Sequence, residues 1–163
     1  MDKITIYTDG SCRNKDGMHG GYGIVLIYKS HQKHIQSDQY IHTTSARMEI
    51  RGVLEALRSI TNKNIPIHLY CDNMYCVNAW RERWVTKWEL DGWMNGGKER
   101  VNSDLWKLVL KEIRMFKDHH NNVVFEHVKG HSGNKYNHIC DRLAAKGGQS
   151  EIIIKDIPDY KII

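Results

Sequence analysis

Ile4-Thr5-Ile6-Tyr7-Thr8-Asp9-Gly10-Ser11 sets the reading of the whole chain. Ile4 and Ile6 alternate with Thr5 and Tyr7 at period two, and β-branched and aromatic residues of this kind suit a half-buried strand. Gly10 reads as the stop, leaving Asp9 at the C-terminal mouth of the strand beside a backbone with no Cβ. Three later stretches each deliver another acid: Arg47-Met48-Glu49, Tyr70-Cys71-Asp72 and Cys140-Asp141-Arg142. Brought together, the carboxylates of Asp9, Glu49, Asp72 and Asp141 make one site for divalent metal.

Working outward, residues 11–21 form a polar, Gly-rich turn, and Tyr22–Tyr28 reads as a strand buried on both faces. Lys29–His34 reads as a turn and Ile35–Thr43 as a more polar partner strand, so the first three strands make an antiparallel meander. Thr44 or Ser45 caps a helix to about Ile60, with Ile50, Val53, Leu54, Leu57 and Ile60 on one face and Glu49 in its early turns. Ile65–Cys71 is the next strand. A strand–helix–strand passage favours a right-handed crossover, which sets this strand parallel to the first and brings Asp9 and Asp72 out side by side. Ligand sites in open α/β sheets collect at that edge. Asn73 caps a helix through Trp80 that continues or restarts to Trp88, followed by a loop over Glu89–Val101 and a helix over Ser103–Lys117. Val123–Lys129 is a fifth strand and Tyr136–Lys146 a last helix, closed by Gly147-Gly148.

With 163 residues the chain makes one domain with a real core. Lys and Arg outnumber Asp and Glu by 24 to 19, a formal charge of +5 that suits a polyanionic partner. Cys12, Cys71, Cys76 and Cys140 show no Cys-x-x-Cys pair, which argues against zinc and for free thiols in a reducing compartment. No signal peptide or membrane span is visible, and a cytoplasmic monomer is expected.

The four acids would repel one another without a cation, since two unit charges ~4 Å apart cost about 4 kcal/mol at an effective dielectric of 20. Hard oxygen ligands select Mg²⁺, with Mn²⁺ as a substitute. Two such ions ~3.5–4 Å apart activate a water on one side of a phosphorus and stabilise the leaving oxygen on the other. Gly130-His131-Ser132-Gly133 is a loop that presents one histidine just before the helix bearing Asp141. Asp16, Asp38, Asp91 and Asp118 lack this strand-end context and are read as solvated charges.

Thr8-Asp-Gly-Ser11, Gly20-Gly-Tyr-Gly23, Thr43-Thr44 with Arg47-Met-Glu49, Asp72, Asp104-Leu-Trp106, and Val128-Lys-Gly-His-Ser-Gly133 followed by Cys140-Asp-Arg-Leu-Ala144 together resemble the ribonuclease HI family. The likeness runs in the family's order from about residue 3 to 147. It implies an α/β, RNase H-like fold: a five-stranded mixed sheet, three antiparallel strands then parallel ones, flanked by helices. It also implies metal-dependent endonucleolytic hydrolysis of the RNA strand of RNA/DNA hybrids, leaving 5′-phosphate and 3′-hydroxyl ends. By resemblance, Asp9 is shared by both ions, with Glu49 and Asp72 on one side and Asp141 on the other, and His131 matches a mobile histidine that moves protons or helps product leave.

The resemblance extends to the substrate. Asn14 lies near an Asn that touches the groove, and Thr44 and Asn102 match a pocket gripping a phosphate of the DNA strand. Ser45 and Ala46 stand where the family usually has Asn or Gln, and His42 where some members put Arg, so hybrid preference is expected to be looser.

In Trp80-Arg-Glu-Arg-Trp-Val-Thr-Lys-Trp88, the tryptophans fall on one helical face, with Arg83 and Lys87 on an adjacent stripe. Flat rings pack on deoxyribose or bases while cations meet phosphates. Trp84 and Trp88 align with the aromatic pair of a basic protrusion, here about 80–101, although packing on the core would explain them equally. Trp80, Trp93 and Trp106 are read as structural.

Residues 1–148 are thus expected to form the catalytic domain. The apolar tail 149–163 is left with three roles: an added strand, a cover for an apolar patch, or a dock for a protein partner. Two rival functions share much of this reading, a hybrid-binding module without catalysis and a DNA junction resolvase. The full acid set argues against the first, because binding alone would want fewer negative charges near phosphates. The His-Ser-Gly loop and the Trp-rich basic helix argue against the second.

Overall fold

Gly10 does not stop the first strand. The computed structural model describes residues 2–13, 18–129 and 133–156, and in it β1 (Ile4–Arg13) runs straight through that glycine. Its antiparallel partner β2 (His19–Tyr28) pairs Asp9 with Gly23 and Gly10 with Tyr22. What Gly10 supplies is proximity: a Cβ there would lie 2.4 Å from the backbone of Met48 and Glu49 on α1 (Ser45–Ser59). A glycine inside a strand marks such a close backbone approach as readily as a turn.

The expected turn at Lys29–His34 is also shorter than read. β3 (His31–Gln36) starts almost at once after Lys29, which takes a positive φ of 55°. The strand expected over Ile35–Thr43 is broken at Ser37, so β4 (Gln39–Ile41) is a separate short piece. At the break the Ser37 hydroxyl accepts from the Tyr22 N–H at 2.8 Å, and the Ser37 N–H donates to the Tyr22 carbonyl at 3.0 Å. A side chain replaces one rung of the ladder, and the chain shifts.

After α1, β5 (Ile67–Cys71) lies parallel to β1, in register from Ile4↔Ile67 to Thr8↔Cys71. The chain continues through α2 (Met74–Arg81), α3 (Trp84–Leu90), the hairpin β6 (Met94–Asn95) and β7 (Lys98–Glu99), α4 (Ser103–Ile113) and the one-turn α5 (His119–Asn122). β8 (Val123–His127) then joins β5 in parallel, and α6 (Lys135–Gly147) and β9 (Ile153–Lys155) complete the order. The main sheet runs β8-β5-β1-β2-β4-β9, with β3 also on β2. It is the mixed, helix-flanked α/β sheet that was expected, with extra short strands.

One face of the sheet buries Ile6, Ile24 and Leu69 with Ile50, Leu54 and Leu57 of α1 and Leu105 and Trp106 of α4, all nearly inaccessible. Across the other face lies α6, so near that a Cβ on Gly23 would come within 2.4 Å of the Cys140 carbonyl. Among the described residues no helix is long and apolar enough to cross a membrane.

Trp80, Trp84 and Trp88 do not share a helical face. Arg83, at φ 59° and ψ 28°, separates α2 from α3. Trp80 turns to β8, where its indole N–H donates to the Val123 carbonyl at 2.7 Å. Trp84 and Trp88 instead gather around Tyr75.

Of the three roles left open for the tail, its described part adds a strand. β9 pairs in parallel with β4, Tyr40 opposite Ile154, and buries Asp156 just beyond it.

Candidate active site

Parallel pairing between β1 and β5 ends at Thr8↔Cys71, which sets the residues that follow, Asp9 and Asp72, beside each other at the same edge. The glycine contact described above carries Glu49 in from α1. Asp141, exposed on α6, completes the set. Asp9, Asp72 and Asp141 line one cavity of about 460 Å³, together with Gly133, Asn134, Asn137 and His138. Carboxylate oxygens of Glu49 and Asp72 and the Cys71 sulfur lie within 4.8 Å of one another.

Charge is frustrated here. Burial first, then Asp72, pushes the Asp9 carboxyl up to about 7, against which the Gly10 N–H at 2.9 Å works by favouring the anion. Glu49 is raised well above its ordinary value, chiefly by burial and next by Cys71 and Asp9, and a hydrogen bond joins it to Asp9. Two buried carboxylates this close disfavour each other's ionised form, which raises both. A divalent cation would relieve this repulsion, and a cluster of carboxylates is the donor chemistry of a hard ion. Asp9, Glu49, Asp72 and Asp141 fit such an ion.

Cys71 is a neighbour that sequence reasoning missed. Its sulfur lies 3.8 Å from Glu49 Oε2 and accepts from the Asn73 N–H at 3.3 Å. A hydrogen bond with Cys76, then burial, holds the thiol well above its ordinary value, so it stays protonated. His138 and Asn137 were missed as well. Their places three and four residues before Asp141 on α6 were the available signal.

Thr44 and Asn102 sit at the starts of two helices. Thr44 caps α1 by accepting the Arg47 N–H at 3.1 Å. Asn102 precedes α4 with φ 64° and makes no capping bond of its own, and its Oδ1 accepts from Arg47 Nη1 at 3.3 Å. Arg83 and Lys87 are exposed and Trp84 is half-buried. Trp88 is 8% exposed, with the Arg100 guanidinium 4.7 Å from its ring centre and Trp106 edge-on. His131 and Asn14 lie outside the described residues.

The RNase H family model matches residues 1–149. The chain belongs to the RNase H family. It is similar to the ribonuclease H of Syntrophomonas wolfei, 43% identical over 145 residues that cover 88% of this chain and 94% of that protein. The ribonuclease H of Desulforamulus reducens is 37% identical over 158 residues, 96% of this chain and 94% of the relative. Among solved structures, the fold is similar to LC9-RNase H1, a type 1 RNase H with the type 2 active-site motif, at TM-score 0.76 and 24% identity over 91% of this chain and 73% of that one. It is also similar to a foamy viral protease–reverse transcriptase solved with an RNA/DNA hybrid, at TM-score 0.72 and 22% identity over 90% of this chain and 20% of that one. The family model ends before β9, whereas the alignment with the Desulforamulus reducens protein, over 96% of the chain, takes the tail strand in.

Proposed function

We propose that this RNase H family enzyme cuts the RNA strand of RNA/DNA hybrids by metal-dependent hydrolysis, leaving 5′-phosphate and 3′-hydroxyl ends. The observation that carries the reading is the convergence of Asp9, Asp72 and Asp141 on one cavity that opens to solvent, with Glu49 behind them against Asp9 and Asp72. Asp9, Glu49, Asp72 and Asp141 would hold two Mg²⁺ ions, or Mn²⁺ in their place, with Asp9 as the central ligand, Glu49 and Asp72 toward one ion and Asp141 toward the other. When bound, such ions supply an activated water and offset charge on the leaving oxygen.

The chain's own residues do the rest. The raised Asp9 and Glu49 carboxyls would ionise beside a bound cation, and His131 carries protons or eases product away. Thr44 and Asn102 grip a phosphate of the DNA strand, and Asn14 touches the groove. Arg83, Lys87, Trp84 and Trp88 hold the DNA strand further along. With Ser45 and Ala46 at the start of α1, hybrid preference is looser than in relatives with amide side chains there. The protein acts as a cytoplasmic monomer, residues 1–148 forming its catalytic domain and about 80–101 its basic protrusion.

The test is cleavage of labelled RNA/DNA, RNA/RNA and DNA/DNA duplexes with Mg²⁺, Mn²⁺ or EDTA. The reading expects cutting of the RNA in the hybrid alone or foremost, abolished by EDTA. An inert protein on hybrids with either metal overturns it.

A further inference from the structure

We propose that Asp156, just after the tail strand, is a positioning residue for the substrate: through Arg47 it holds the Asn102 amide ready for a phosphate of the DNA strand. The inference rests on the nuclease reading above.

The Asp156 side chain is fully shielded from solvent. It accepts from Thr43 Oγ1 at 2.7 Å, from Arg47 Nε at 2.7 Å and Nη2 at 3.0 Å, and from Arg51 Nη2 at 2.9 Å. The backbone fixes its place, because the Asp156 N–H donates to the Ile41 carbonyl at 3.0 Å where β9 leaves β4. Arg47 also grips Asp104 with both terminal nitrogens, at 3.0 and 2.8 Å. With Asn102 Oδ1, these bonds use all five donors of the Arg47 guanidinium. Arg47 is therefore a strut with nothing left for a ligand.

A guanidinium only donates, so the Asn102 atom facing it must be the oxygen. That leaves the Asn102 NH₂ group, on the other side of the amide carbon, as the donor at the start of α4. At the start of α1, the Thr44 hydroxyl accepts from the N–H of the same Arg47 and keeps its own proton for an acceptor. Two oriented donors, next to the N-terminus of the fifteen-residue α1, form a receptor for one anion. The charges around the strut balance, Arg47 and Arg51 against Asp104 and Asp156, so the grip depends on orientation rather than net field.

The sign of the effect separates this role from simple electrostatics. Asp156→Asn removes a negative charge near a polyanion, which on charge alone should tighten binding. The positioning role expects the opposite. Hybrid affinity, KM and kcat are to be measured for wild type, Asp156→Asn, Asn102→Ala and the double variant. Asp156→Asn should raise KM and the dissociation constant roughly 3- to 10-fold, the loss of about one hydrogen bond, with kcat within about twofold. Asn102→Ala should match it, and the double variant should be no worse than Asn102→Ala.

Unchanged or tighter binding by Asp156→Asn, or losses that multiply in the double variant, would overturn the proposal. If Asp156→Asn fails to fold, Asp104→Asn loosens the same guanidinium from its other side and takes its place in the comparison. A wild-type protein that neither binds nor cuts hybrid sinks the functional reading and this proposal with it. An active wild type beside a tight-binding Asp156→Asn sinks this proposal alone.

Discussion

Gly10 and Glu49 are packed so closely that a single added carbon on the glycine would lie 2.4 Å from the backbone nitrogen of the glutamate. The contact is backbone to backbone, so no side-chain rotation can relieve it. It sets how deeply α1 seats on β1, and with that how far Glu49 reaches toward Asp9.

Gly10→Ala should therefore cost both stability and activity. Overpacking of this kind destabilises by about 1–3 kcal/mol. Turnover should fall by more than the folded fraction does, because α1 moves outward with Glu49 on it. Urea unfolding beside kcat on hybrid substrate checks this. An alanine variant with wild-type stability would mean the close approach is not a constraint.

The raised carboxyl of Asp9 links stability to pH. Asp9 moves from an ordinary 3.8 to about 7 on folding, mainly through burial. The folded protein binds the carboxyl proton more tightly than the unfolded chain, so this contribution is full below about pH 4 and is lost as pH rises through about 7. A divalent cation supplies the counter-charge that the proton leaves behind. The rise in Tm on adding Mg²⁺ should consequently be larger at about pH 8.5 than at about pH 6, measured against EDTA controls. An equal rise at both would place the ion elsewhere.

Trp84 and Trp88 should part company under mutation. Trp88 packs beneath Arg100 and against Trp106, so Trp88→Ala should cost ~3–5 kcal/mol in stability. Trp84, half-buried and next to the exposed Arg83, should cost less stability and more KM. Arg83→Ala and Lys87→Ala should each flatten the salt dependence of hybrid binding. Thermal melts and binding at several salt concentrations separate these effects, and a Trp84→Ala variant with unchanged KM leaves that ring a packing role only.

The chain's own pattern made much of this legible. The right-handed crossover rule set the Ile65–Cys71 strand beside the first and so brought Asp9 and Asp72 together, and the apolar stripe of α1 placed Glu49 at its margin. What failed did so for non-local reasons. Gly10 looks locally like a terminator, and only the helix packed against it reveals a close approach. Ser37 and Arg83 break a strand and a helix through a hydroxyl and a left-handed backbone, which hydrophobic periodicity does not register. Asp156 was invisible because its partners, Thr43, Arg47 and Arg51, lie more than a hundred residues away.

The most direct measurement is cleavage and binding of an RNA/DNA hybrid by Asp9→Asn in Mg²⁺. Cutting should vanish while hybrid affinity holds or improves, since the carboxylate at the centre of the set is gone along with one negative charge near the phosphates. Cleavage at the wild-type rate would contradict the site.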